Sequence, residues 1–373
     1  MTMEIRQRPV PALDASLFEG VAPLLAQIYA ARGITCKTEL DYSLSGLAPY
    51  HTLGGIEVAT KLLYRALLEN QSILIVGDFD ADGATSCAVA VLGLRLLGAK
   101  NVSYLIPNRF EYGYGLTPEI VEVASRHKPD LLVTVDNGIS SLEGVRVATE
   151  YGMRVLVTDH HLPGTALPVA DAIVNPNLTG DRFSSKSIAG VGVMFYVLSA
   201  LRAELRQQAW FKSQAMEEPN LAQLLDLVAL GTVADVVALD YNNRIMVAQG
   251  LSRIRAGRCR PGISALLKVA GRQQKNARAA DFAFSVAPRL NAAGRLTDMS
   301  LGVECLLAET HDSALDAAKR LDALNRKRRS IETEMHSQAL RELESVTLQD
   351  AEQIPHGLCL FDPSWHQGVV GIL

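Results

Sequence analysis

Apolar and polar positions come in blocks along this chain, and the block lengths predict its elements. Segment 72–77 (SILIVG) is a short apolar run between polar residues, the mark of a strand buried on both faces. The stretch 83–98 (GATSCAVAVLGLRLLG) has the length and composition of a helix. The alternation then repeats, with strands at 101–107, 130–135, 154–158 and 171–175 and helices at 117–127 and 140–152. Thr117 can cap one of these helices, and Pro118 suits its first position. Strands alternating with helices of 10–15 residues predict an α/β fold with a doubly wound parallel sheet.

Outside that region the pattern is helical. Segments 15–32 and 54–69 precede the first strand, and 187–307 is mainly helical. Segment 311–346 runs without Gly or Pro and is charged, with apolar residues on one stripe. As one helix it would be about 54 Å long, and it reads as a bridge between domains. The final stretch, 357–373, opens a new strand-and-helix unit and then stops, which reads as a truncated chain.

Composition narrows the class. The 373 residues are 48% apolar and 20% charged, the balance of a soluble globular protein. No apolar run reaches the roughly 18–20 residues of a membrane span, and the first residues lack a secretory signal's apolar core. Cys36, Cys87, Cys259, Cys305 and Cys359 are scattered without a CxxC pair, against a zinc knuckle or a disulfide framework. A cytoplasmic protein is the expectation. The net charge of −4 conceals a basic segment. Between Arg244 and Arg295 there are eleven basic residues against one acid, Asp281. Such a segment is either a polyanion footprint or a solvated basic face.

Candidate chemistry gathers at strand ends. Asp78, Asp80 and Asp82 follow the first predicted strand, Asp136 the third, and Asp159, His160 and His161 the fourth. In open α/β sheets, ligands bind beyond the carboxyl ends of the strands, where strand order reverses. Asp235 interrupts a very apolar stretch, 230–239, and a carboxylate there needs a partner. Carboxylates with imidazole suit Mn²⁺ or Mg²⁺. Six or more candidate ligands fit two ions, the arrangement that hydrolyses phosphodiesters or pyrophosphates. Singly, each Asp has a plainer reading as a turn or helix cap, and the acidic trio could hold one Mg²⁺ as in a receiver domain. Only the phosphoryl-hydrolase reading uses the histidines and the basic segment as well.

In order along the chain, "DFDADG", "TVDNGIS", "DHH" and "GTVADVV" resemble the DHH phosphoesterase superfamily. "PNRFEYGYG", "SIAGVGV", "PRLNAAGR" and "WHQGVVGI" resemble its RecJ-type single-strand-specific DNA exonucleases. The resemblance implies a DHH fold with a mainly helical second half and a long interdomain helix. It implies domains at 1–50 (N-terminal helical segment), 51–308 (DHH catalytic domain), 309–350 (connecting helix) and 351–373 (start of a DHHA1-type domain). It implies Asp80, Asp82, Asp136, His160 and Asp235 as ligands of two Mn²⁺ or Mg²⁺ ions. Relatives carry a His where this chain has Val76, so Asp78 takes that ligand's place. His161 is expected to stabilise transition-state charge or move a proton, with Asp159 orienting an imidazole. Arg109, Tyr114, Arg289, Asn291 and Arg295 are expected to contact DNA, with Tyr112 as an alternative stacking residue.

The implied activity is 5′→3′ hydrolysis of single-stranded DNA to 5′-mononucleotides in recombination and repair, with a helicase and a single-strand-binding protein as partners. The alternatives are a phosphodiesterase of short oligonucleotides or cyclic dinucleotides, and a non-catalytic DNA-binding scaffold. Relatives have a further glycine- and histidine-rich domain and an OB-fold that are not in this sequence. Trp365, His366 and Gln367 open that further domain in the family. The chain is therefore expected to bind metal while hydrolysing DNA weakly.

Overall fold

The computed structural model describes residues 14–347, 357 and 359–372. A 3₁₀ turn, Ala15–Phe18, and helix α1 (Pro23–Ala30) come first, then α2 (Ile56–Leu68). The α/β region follows as β1 (Ile73–Gly77), α3 (Ala81–Leu96), β2 (Val102–Leu105), α4 (Pro118–Ser125), β3 (Leu131–Val135), α5 (Leu142–Glu150), β4 (Arg154–Thr158) and β5 (Ala172–Val174). All strand pairs are parallel, in the order β2-β1-β3-β4-β5. The order reverses at β1, because β2 lies on one side of it and β3 on the other.

Side-chain alternation along β1 shows why its sequence is apolar throughout. Ile73 and Ile75 join the large core under α2, α3 and the helical half. Leu74 and Val76 point to the opposite face and pack with Ile120, Val121, Val145 and Ala148 of α4 and α5. A strand covered on both faces has no polar position to offer. Each fully buried side chain of this size contributes about 1.5–3 kcal/mol.

The second half is helical: α6 (Gly190–Gln207), α7 (Leu225–Ala234), α8 (Tyr241–Arg255), α9 (Pro261–Val269), α10 (Ala287–Leu296) and α11 (Ser300–Leu307). The long helix forms as α12 (His311–Thr347). Its apolar stripe is laid down by Ala314, Ala318, Leu321 and Met335, all buried, and it packs on α9, α10 and α11.

Two expectations are corrected. Helix α3 starts at Ala81 rather than Gly83, because the Asp80 side chain accepts the Gly83 amide at 2.9 Å and caps it there. Asp82 thus lies inside the first helical turn. The new strand expected from 357 is not formed among the described residues; Val370–Ile372 makes a short 3₁₀ turn instead. Residues 1–13, 348–356, 358 and 373 of the expected terminal segments lie outside the described residues.

Candidate metal centre

The reversal in strand order opens a crevice between β1 and β3, and Asn137 fixes its width. Its Nδ2 donates to the carbonyls of Val76 on β1, at 3.1 Å, and Val135 on β3, at 2.9 Å. Asp78 and Asp80 leave the end of β1, Asp136 leaves β3, and Asp159 to His161 leave β4. Asp136 adopts φ 62°, a left-handed conformation that Asp tolerates better than most residues. That bend turns its carboxylate against the first turn of α6. A Cβ on Gly190 would lie 2.6 Å from Asp136 Oδ1, so only glycine fits there.

Helix ends supply the remaining groups. Asp82 accepts the Gly190 amide at 2.7 Å and the Val191 amide at 3.1 Å, so it caps the positive end of α6. Asp235 caps the other end of α7, and the next residue, Val236, sits at φ 63°. A β-branched residue in that conformation is strained. Three triads of donor atoms result, each within 4.8 Å: Asp78, Asp80 and Asp136; Asp82, His160 and Asp235; and Asp136, His160 and His161. The sequence-predicted ligand residues therefore converge. Val76 is a core residue, while Asp78 lies with Asp80 and Asp136 in the crevice.

Electrostatics mark this cluster as incomplete by itself. Burial raises the Asp78 carboxyl to about 7, helped by repulsion from Asp80. Burial does the same to Asp235, also to about 7 and again with Asp80 adding repulsion. Asp82 and Asp136 are pushed well above the ordinary carboxylate range, by burial first and by neighbouring carboxylates second. His160 falls to about 4 because burial disfavours its charged form, so its ring is neutral at pH 7. Its Nε2 is 3.1 Å from Asp136 Oδ1 and 3.5 Å from Asp235 Oδ2. With a neutral ring these approaches are not ion pairs. Asp136 Oδ1 and His160 Nε2 are both buried and make no hydrogen bond. Two orphaned buried atoms this close form an arrangement that a cation could complete.

His161 behaves in the opposite way. Its Nδ1 is 2.7 Å from Asp159 Oδ1. That bond is the main reason its pKa rises to about 9, against the effect of burial. Burial works to raise the Asp159 carboxyl, but the hydrogen bonds and charge of His161 outweigh it and hold the group below its ordinary value. The two histidines thus differ by charge at pH 7: one neutral and turned inward, one cationic on the rim. His161 also lines an open cleft of about 510 Å³ with Tyr114, Gly138, Ser140 and Asp159. The Tyr114 ring meets the His161 ring edge-on at 6.3 Å.

The basic candidates separate into two groups. The Arg109 guanidinium lies over the Phe79 ring at 4.4 Å, beside the aspartate loop. Arg295 is pushed below its ordinary pKa by burial and then by the nearby Arg109 and Arg328 charges, with Asp80 opposing. Arg289 is different. It is paired with Asp322 at 2.9 Å and donates to the Ser285 carbonyl at 2.6 Å. Asn291 accepts the Ala81 amide at 2.7 Å. Internal partners thus engage polar groups of both residues. Two further arginines of the basic segment are paired likewise, Arg244 to Glu39 at 2.8 Å and Arg272 to Asp281 at 3.2 Å.

Three supporting asparagines were missed by sequence reading. Besides Asn137, Asn175 donates to the His161 carbonyl at 2.9 Å and Asn177 to the His160 carbonyl at 2.6 Å. Their only signal was position, at or just after the end of the last predicted strand and just after Asp136.

Comparison with known proteins is now decisive. Residues 72–232 match the family model described as the DHH family, N-terminal domain. A solved structure described as exonuclease RecJ bound to manganese is 36% identical, with a TM-score of 0.71, over 86% of this chain and 76% of that one. The chain belongs to the DHH family, among its RecJ proteins. A second RecJ structure, from Thermus thermophilus with Mn²⁺, is 36% identical with a TM-score of 0.76, covering 94% of this DHH chain and 48% of that one. Among curated relatives, the RecJ single-stranded-DNA-specific exonucleases of Dickeya dadantii and Escherichia coli are 55% and 54% identical over 99% and 100% of this chain. This DHH chain spans 64% of the length of each.

Proposed function

We propose that this chain carries the catalytic centre of a metal-dependent exonuclease that hydrolyses single-stranded DNA from its 5′ end to 5′-mononucleotides, in recombination and repair. The observation that carries the reading is the pair of orphaned buried atoms, Asp136 Oδ1 and His160 Nε2, enclosed by four further carboxylates. Asp78, Asp80 and Asp136 would hold one Mn²⁺ or Mg²⁺ ion, and Asp82, His160 and Asp235 a second. An oxygen-rich set with one imidazole and no thiolate fits such ions. Two bound ions supply a strong oxygen nucleophile at neutral pH and stabilise charge on the phosphoryl oxygens.

The chain's own groups perform the rest. Asp136 is shared between triads and fixed by its left-handed bend. Asp159 keeps His161 protonated, so its imidazolium faces the cleft ready to stabilise phosphoryl charge or give a proton to the departing 3′-oxygen. Arg109 and Arg295 offer bidentate contacts to a phosphate beside the aspartate loop, and Tyr114 offers a ring for the terminal base. The domain division fits this assignment: 51–308 holds every group named, and α12 lies in the connecting segment 309–350. The same reading makes a helicase and a single-strand-binding protein the expected partners, in a cytoplasmic setting. No helix among the described residues is long and apolar enough to cross a membrane.

The test uses 5′-labelled single-stranded DNA, duplex DNA and dinucleotides with Mn²⁺. Release of labelled mononucleotide from the single strand in preference to the other two supports the reading. Preference for dinucleotides would replace it with a small-substrate phosphodiesterase. Metal binding without any hydrolysis would replace it with a scaffold.

A further inference from the structure

From the packing of α10 on the aspartate loop, we infer that Asn291 is a positioning residue of the metal centre rather than a DNA contact. The inference rests on the proposed function, because it concerns how the proposed ligands are held. Asn291 stands 210 positions after Ala81, yet its Oδ1 accepts the Ala81 amide at 2.7 Å. Ala81 is the residue between the two proposed ligands Asp80 and Asp82. Its amide belongs to the first turn of α3, where backbone donors have no partner within the helix. Asn291 supplies that partner from another layer of the fold.

A second contact on the same helix fixes the same loop. Gly294, one turn after Asn291, approaches so closely that a Cβ there would lie 1.9 Å from the Phe79 carbonyl oxygen. Helix α10 therefore holds the chain on both sides of Asp80, at Phe79 and at Ala81. Arg295 follows directly, and the Asp80 carboxylate is among the charges that act on its guanidinium. One rigid turn of helix thus carries both the support of the metal loop and a proposed phosphate contact.

The role needs an acceptor oxygen and nothing else, which makes it separable from DNA recognition. Asn291→Ala removes the acceptor. Asn291→Asp keeps it and adds a negative charge that would weaken any contact to a phosphate. The readout is Mn²⁺ binding to the whole chain by calorimetry without DNA, with oligonucleotide KM and kcat measured alongside. Loss of an outer support of this kind weakens metal binding by about tenfold or more. Asn291→Ala should show that loss together with a fall in kcat, while Asn291→Asp should bind Mn²⁺ within about threefold of the unaltered chain. Melting of each variant without metal shows that it is folded.

Unchanged Mn²⁺ affinity in Asn291→Ala with a raised KM, worse still in Asn291→Asp, would overturn the inference in favour of a DNA contact. Equal loss of Mn²⁺ affinity in both variants would also overturn it. If the unaltered chain bound no Mn²⁺, the proposed function would fail instead, so the two failures are distinct.

Discussion

In the strand-end crevice, Asp78, Asp82 and Asp136 are buried with no arginine or lysine paired to them among the described residues. In the basic segment, Arg244, Arg272 and Arg289 each face a carboxylate. Both regions concentrate one sign of charge in the sequence, but the buried carboxylates of the crevice stay without a cationic partner while these three arginines have an acidic one. A buried unmatched charge costs far more than a paired one. It persists where something absent from the polypeptide completes it. The comparison teaches that charge density along a sequence is a weak guide to function until its partners are placed.

The largest expected effect breaks the crevice itself. Asp136→Asn removes the carboxylate shared by two triads, and hydrolysis should fall by at least ~10³-fold, as for loss of a central electrostatic group. The same variant should melt at a higher temperature than the unaltered chain when metal is absent, because a strained electrostatic contact is gone. Hydrolysis assays and melting curves in a chelator check both halves. Retained hydrolysis would remove Asp136 from the centre.

A second, smaller effect concerns the rim. His161 owes its raised pKa of about 9 first to Asp159. If its protonated form is needed, activity should fall as pH rises through about 9. Asp159→Asn removes the charged acceptor, so the His161 pKa drops and the alkaline limb should move down by at least one pH unit. Its kcat should also fall by about 10²-fold. A pH–rate profile measures both; an unmoved limb would separate His161 from the chemistry.

These two effects concern residues whose placement was legible. The apolar runs that became β1, β3 and β4 were plain in the sequence, and so were the aspartates and histidines at their ends. A strand end is a local feature, and the parallel sheet brings successive ends together without further information. Pairing is not local. Arg289 meets Asp322 from a different helix, and Arg244 meets Glu39 across 205 positions. No spacing rule shows such partners. The same holds for Asn291, whose contact to the Ala81 amide in a distant loop no spacing rule shows. The start of α3 was misplaced by two residues because Asp80 was read only as a ligand and not also as a cap.

The remaining predictions sharpen the division among basic residues. Arg109→Ala should raise the oligonucleotide KM by about tenfold, the value of a charge-assisted contact, with Mn²⁺ affinity unchanged. Calorimetry beside steady-state kinetics distinguishes this from damage to the metal loop. Arg289→Met should leave KM within about twofold and instead lower stability by about 1–3 kcal/mol, because Asp322 loses a partly buried partner. Denaturant unfolding measures that loss. A large KM change without destabilisation would return Arg289 to the DNA path and weaken the contrast.

The central claim is that the crevice holds unmatched carboxylates because divalent ions complete it. Anomalous difference maps from Mn²⁺-soaked crystals of this chain test it most directly. Two peaks are expected, one among Asp78, Asp80 and Asp136 and the other among Asp82, His160 and Asp235. No peak in the crevice at saturating Mn²⁺ would contradict the claim.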